Sequence, residues 1–333
     1  MNTVLKSFVI LSMLIIALSA QAQSAADRLY MQGQKLQLTR TISAQNQAIG
    51  KFSAAKRAYD SREKKALCDR QIQICKQNIK NLDPKPDPKP KPKSKAKPET
   101  YTRKVETFYA NGVSFEMVRV EGGTFTMGAT VEQGSDAYEW EKPTHQVTLS
   151  SYSIGKTEVT QELWQAVMGT NPSDFKGSKL PVEKVSWEDC QTFIRKLNAL
   201  TGKNFRLPTE AEWEFAARGG NKSRGYKYSG NNTVDDVAWY KSNSSSTTHP
   251  VATKASNELG IYDMTGNVWE WCSDCYSSYT SASQTNPTGP NSGSYRVFRG
   301  GSWIDYARSC RVSLRFSDPP ASRSDYLGLR LAL

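Results

Sequence analysis

The chain has 333 residues, with 44 Lys/Arg against 32 Asp/Glu, a net charge of +12 and six cysteines, enough for one large domain plus an accessory segment. Residues 1–104 hold 21 Lys/Arg and 7 Asp/Glu (+14), and residues 105–333 hold 23 and 25 (−2). The near-neutral remainder excludes a nucleic-acid-binding domain, which needs its positive charge on the folded surface that meets phosphate.

The N-terminus reads as an export signal. Lys6 supplies the positive start, residues 7–19 the apolar run, and Ala20 and Ala22 the small residues of a cleavage site, so the mature chain is expected to begin near Gln23. The run is shorter than the ~20 residues of a membrane span, no cysteine marks a lipid anchor, and no later stretch is long and apolar enough to cross a bilayer. The expected location is the periplasm, the outer surface or the medium.

Residues 23–82 lack proline and are rich in Ala, Gln, Lys and Arg, mostly good helix formers. Cys68, Ile72, Cys75, Ile79 and Leu82 recur at 4-3-4-3 spacing, which predicts the seam of a short coiled coil or the buried stripe of a helical hairpin. Seven residues of helix separate Cys68 and Cys75 by ~10.5 Å, beyond the ~7 Å Cα limit for a disulfide. If oxidised, each is expected to bond its counterpart in a second chain, making a homo-oligomer through these helices. Residues 83–104 begin Asp-Pro-Lys-Pro-Asp-Pro-Lys-Pro, an extended, self-repelling linker.

From Val105 the texture is that of a globular domain running to Leu333. Phe115–Val120 and Thr144–Tyr152 read as strands. Thr160 is predicted to cap a helix over 161–168 that stops at Gly169, and Ser186 one over 187–200 that stops at Gly202. Thr209 with Glu212 forms a capping box for a third, running to Gly219-Gly220.

Four blocks stand in order: Gly122-Gly-Thr-Phe-Thr-Met-Gly128, Arg206-Leu-Pro-Thr-Glu-Ala-Glu-Trp-Glu214, Gly266-Asn-Val-Trp-Glu-Trp271 and Arg299-Gly-Gly-Ser-Trp303, closed by Leu327-Gly-Leu-Arg330. Over 113–333 this series resembles the formylglycine-generating enzyme (sulfatase-modifying factor) family. The resemblance implies an α+β domain distantly related to the C-type lectin fold, with little regular secondary structure. Each block also has a structural role, in capping, core aromatics or tight turns, so the fold alone does not settle activity.

In the family's oxidases two cysteines hold Cu(I), and oxygen converts a substrate cysteine to formylglycine. By resemblance, the first cysteine position falls on Asp305 and the second on Cys310, the family's serine on Ser302 and a pocket aromatic on Trp269. Two thiolates suit Cu(I), whereas carboxylate suits harder ions, so copper is not expected here. The oxidising compartment favours a bridge; the leading pairing is Cys272 with Cys310, the next Cys275 with Cys310, and Cys190 reads as a buried free thiol. A three-histidine iron site, as in related sulfoxide synthases, cannot come from His145 and His249 alone. A structural calcium is compatible with the resemblance: Asp263 would give side-chain oxygen and Met264, Gly266 and Val268 carbonyls, with an ordinary turn the alternative. The family's second calcium loop is interrupted at Val237.

Two functions follow. One is an exported, non-catalytic binding or structural envelope module, a pseudoenzyme with a protein or glycan ligand. The other is a formylglycine-generating oxidase with a divergent site using Cys310.

Overall fold

The computed structural model describes residues 25–30, 32–33, 42–82 and 105–333. The expected signal (1–22) and linker (83–104) lie outside the described residues. The chain divides into two compact units, one within 1–98 and one within 99–333.

In the first unit, residues 25–30 and 32–33 are helical and are followed by α1 (Ile42–Ala58) and α2 (Arg62–Leu82). Ala48, Phe52, Ala55 and Tyr59 recur at helical spacing and turn one apolar face inward. Cys68 packs with Ala26, Ala55 and Tyr59, and Cys75 with Ala48 and Phe52. Both thiols are fully buried within one chain. The Cys68–Cys75 stripe thus lines a helical hairpin, one of the two arrangements expected for it.

The second unit is an α+β fold of small sheets and short helices. Strands β1 (Val105–Ala110) and β2 (Val113–Val120) form a hairpin through Asn111-Gly112, both at positive φ, the signature of a tight two-residue turn. With β5 (Tyr152–Gly155) they make a three-stranded sheet in the order β1-β2-β5; β3 (Gly123–Met127), β4 (His145–Leu149) and β7 (Gln284–Thr285) make another in chain order. The single strand expected over 144–152 is therefore two. Residues 150–151 break it, and β4 pairs with β3 while β5 pairs with β2.

The helices are α3 (Gln161–Met168), α4 (Trp187–Thr201) and α5 (Glu210–Ala217). Thr160, Ser186 and Thr209 accept the N–H of the third helical residue, and Asp189 and Glu212 complete capping boxes. The last helix ends at Ala217, earlier than the glycine pair.

A four-stranded sheet organises the rest. β6 (Trp269–Cys275), β8 (Arg296–Arg299), β9 (Arg315–Asp318) and β10 (Leu327–Leu329) lie in the order β10-β6-β8-β9. Alternation along the strands splits its faces. Trp269, Trp271, Phe298 and Phe316 lie on one face, where Trp271 pairs with Phe298 and Phe298 with Phe316. The buried members of that face join α3 and α4 in one core, through residues such as Trp164 and Phe193. On the other face Glu270 stands beside Arg299 and Arg299 beside Arg315, over a second core containing Trp213, Phe215 and Cys272. Here burial demands charge pairing: Arg315 holds Glu210, Arg299 holds Glu214, and Arg330 holds Glu270.

Candidate functional site around Asp305

The turn after β8 positions the site. Gly300 and Gly301 have φ of 107° and 78°, and a Cβ on Gly301 would lie 2.8 Å from Cys310 Sγ and from Ser309 O. Only glycine lets these two chain segments meet. Ser302 then begins a turn in which Asp305 N–H donates to Ser302 O at 3.1 Å.

Asp305 Oδ2 accepts the Trp269 indole N–H at 2.8 Å and the Ser302 hydroxyl. Oδ1 takes no hydrogen bond from the described residues. Burial pushes the carboxyl above its usual range, while Ser302, Trp269 and the Lys241 charge pull it back. Cys310 is fully buried among Tyr228, Val237, Ala238 and Tyr240, and its S–H approaches Tyr306 O at 3.8 Å. Burial first and the Asp305 charge second push this thiol far up, so it stays protonated. Ser302, Trp269, Asp305 and Cys310, singled out by sequence, are thus brought together, as a carboxylate and a neutral thiol.

Beside them lies an aromatic row absent from the sequence reading. Trp269 meets Phe316 edge-on (centroids 5.5 Å), Phe316 meets Trp140 (6.1 Å), and Trp140 stacks on Tyr138 (4.4 Å). Trp140 and Phe316 are each 40% exposed. Tyr138 and Trp140 arrive on a 3₁₀ turn anchored by the buried Glu141–Arg311 pair, 170 residues apart in sequence. No local pattern encodes that reach.

The Asp263 loop is tightly turned. Asp263, Gly266 and Asn267 have φ of 59°, 79° and 63°, and a Cβ on Gly266 would fall 2.2 Å from Trp239 O. Asp263 Oδ2 accepts Ala252 N–H at 2.7 Å; burial pushes the carboxyl up to about 6. Glu158 spends one oxygen on Val268 N–H and the other on the Asn267 amide. Among the described residues no three His, Cys, Asp or Glu side chains converge to hold a metal, so a cation here would rest on backbone carbonyls plus Asp263. That donor set fits a hard ion and no soft one.

All six cysteines are unpaired and buried. The expected Cys272–Cys310 bridge is not formed. Cys272 belongs to the core under α5, whereas Cys310 sits in a separate cluster across Gly301. Cys275 packs on Gly293 and is likewise unpaired. Cys190 is buried in the α4 core, as expected. His145 lies on β4, and His249 stacks on Trp239 with its Nε2 2.8 Å from Ser244 O.

The family described as "Sulfatase-modifying factor enzyme 1-like domain" matches residues 104–333. The chain belongs to the sulfatase-modifying factor family. Sulfatase-modifying factor relatives with curated names include the "Chaperone protein LppX" of Paenibacillus barcinonensis, 35% identical over 60% of this chain and 83% of that one. The formylglycine-generating enzyme of Streptomyces coelicolor is 31% identical over 65% and 88%, and the "Inactive C-alpha-formylglycine-generating enzyme 2" of Bos taurus 32% over 67% and 89%. Among solved structures, Treponema denticola variable protein 1 superposes with a TM-score of 0.62 at 38% identity, covering 68% of this chain and 98% of that one. The sulfatase-modifying factor fold is therefore shared with proteins named as enzymes, as an inactive enzyme and as a chaperone.

Proposed function

We propose that this protein is an exported, non-catalytic binding module of the sulfatase-modifying factor family, with the surface around Asp305, Phe316 and Trp140 as its ligand seat. The observation that carries this reading is the donor set. At the position of the family's first copper cysteine stands a carboxylate already engaged by Trp269 and Ser302. The remaining sulfur, on Cys310, is a buried thiol held protonated. One neutral thiol and one carboxylate do not suit Cu(I), and no oxidation step is assigned to them. Trp140 and Phe316, each 40% exposed, offer apolar faces near an acceptor oxygen, which suits a protein or glycan ligand. A bovine relative named as inactive supports the same direction.

The test is a turnover assay with a sulfatase-motif peptide, copper and oxygen, scored by mass change at the substrate cysteine. No conversion is expected. Conversion by the wild type that Cys310→Ser abolishes would establish the oxidase instead. A structural calcium on Asp263 and the carbonyls of Met264, Gly266 and Val268 is part of the proposal. Millimolar calcium should raise the unfolding temperature of the wild type and not of Asp263→Ala, and an equal rise in both would exclude that site.

A further inference from the structure

A cavity of about 490 Å³ opens beside α5 on the Arg315 face of the large sheet, opposite the face that carries Phe316. Clefts that hold small molecules run from roughly 300 to 1,000 Å³. Two polar side chains on its wall, each 96% buried, present an unused acceptor. Asp274 Oδ2 accepts Glu210 N–H at 3.0 Å and the Ser273 hydroxyl at 2.9 Å, while Oδ1 takes nothing from the described residues. His145 Nδ1 lies 3.3 Å from Pro143 O. In the neutral ring a nitrogen facing a carbonyl carries the proton, which leaves the lone pair on Nε2. That nitrogen also has no partner among the described residues.

The other charged groups of the wall are spent. Arg315 donates to both oxygens of Glu210 at 2.7 and 2.6 Å, and Tyr279 O–H donates to Glu210 at 3.1 Å. The rim carries Ser277, Ser278, Thr285 and Thr288. None of their hydroxyls is hydrogen-bonded to a described residue. Neither atom is sealed from solvent, so both can be reached from the cavity, and a complementary ligand brings donors to them. An anion would meet the Asp274 carboxyl, whose ionised form burial and the Glu210 charge already disfavour, pushing it up to about 7. A small ammonium ion would meet the Arg315 guanidinium and leave the hydroxyl rim unused. A neutral polyol satisfies the wall and the rim together.

We propose that this cavity is a binding site for a single neutral sugar ring, whose hydroxyls donate to Asp274 Oδ1 and His145 Nε2 and exchange hydrogen bonds with the rim. The site shares no residue with the Asp305 site and does not depend on its function. Apolar surface from Met127, Ala211 and Pro287 lines the remaining wall and suits the C–H face of a pyranose.

The test uses the full-length chain and saturation-transfer NMR with glucose, galactose, mannose and N-acetylglucosamine, with ethanolamine and sulfate as charged controls. At least one sugar is expected to bind at millimolar concentration. Asp274→Asn, which turns the free acceptor into a donor, and His145→Phe should each weaken it by about tenfold or more, the worth of one to two buried hydrogen bonds. Asp305→Ala should leave sugar binding unchanged, separating this site from the one at Asp305. Thr288→Val at the rim is a milder variant whose weakened binding stands if either wall substitution unfolds the protein. The inference is overturned if no sugar binds below about 50 mM, if only ethanolamine or sulfate binds, or if the variants that fold bind like the wild type.

Discussion

At Asp305 the proposed function turns on one side chain, a carboxylate where the resemblance places a cysteine. Sulfur at that position would sit beside Cys310 and, with it, make a soft pair; oxygen instead engages Trp269 and Ser302. Asp305→Cys is therefore expected to tighten Cu(I) binding by at least about tenfold. Competition with a chromogenic Cu(I) chelator measures this, with Asp305→Cys/Cys310→Ser as the control that loses the gain. Equal affinity in the single variant and wild type would mean that more than the ligand has changed. Glu183 is a second residue at which burial decides chemistry. It is fully buried; one oxygen accepts Phe175 N–H at 2.9 Å and the other has no partner. Burial foremost, then the charges of Asp174 and Asp325, push its carboxyl up to about 7 against the partial relief of backbone N–H groups. The native state thus holds this proton more tightly than the unfolded chain. Its contribution to stability is present below about pH 4.5 and is lost as pH rises through 7. Glu183→Gln removes the titration, and the fall in unfolding free energy between pH 4.5 and 8 should shrink by on the order of 2 kcal/mol. Urea unfolding at both pH values reads it, and an unchanged difference would contradict the assignment.

Elements whose signals are local could be read from the sequence, and elements held by distant partners could not. Thr160, Ser186 and Thr209 lie within three residues of the N–H groups they satisfy, so the starts of α3, α4 and α5 were legible. The strand over 144–152 was misread because the split between β4 and β5 depends on β3 and β2, which no local pattern names. The Asn111-Gly112 turn was a usable signal for β1 that the strand reading missed. In the site, Ser302, Trp269, Asp305 and Cys310 sit in or beside motifs and were found. Trp140 and Tyr138 escaped notice because Arg311, far along the chain, holds their turn. Glu141 there accepts both Arg311 nitrogens, at 2.8 and 2.6 Å, and the Ser313 hydroxyl, entirely out of solvent. Arg311→Met would leave that carboxylate buried without its partner, at a cost of about 3–5 kcal/mol. Adding Glu141→Gln should recover part of the loss, because the stranded charge is gone. Chemical denaturation of the three variants tests this, and a single substitution costing less than about 1 kcal/mol would show that water reaches Glu141.

Across the whole molecule the six cysteines share one condition, although they lie in two units and serve different cores. Each is at most 3% exposed, and none is paired. The sequence alone favoured bridges, because the expected export signal implies an oxidising compartment. Packing overrules that bookkeeping. A disulfide needs Cα atoms within ~7 Å and an attacking thiolate, and here burial pushes the thiols of Cys68, Cys75, Cys190, Cys272 and Cys310 upward. Air and a thiol reagent should therefore be excluded alike for as long as the fold persists. The native full-length chain is expected to give no reaction with a chromogenic thiol reagent over minutes, and the same sample in guanidinium about six equivalents, with or without prior reductant. A Cys272–Cys310 bridge would instead leave about four before reduction, and inter-chain bonds at Cys68 and Cys75 would also give four, with a dimer on a non-reducing gel. The count and the gel together tell these outcomes apart, because only the fully reduced protein combines six equivalents with a monomer.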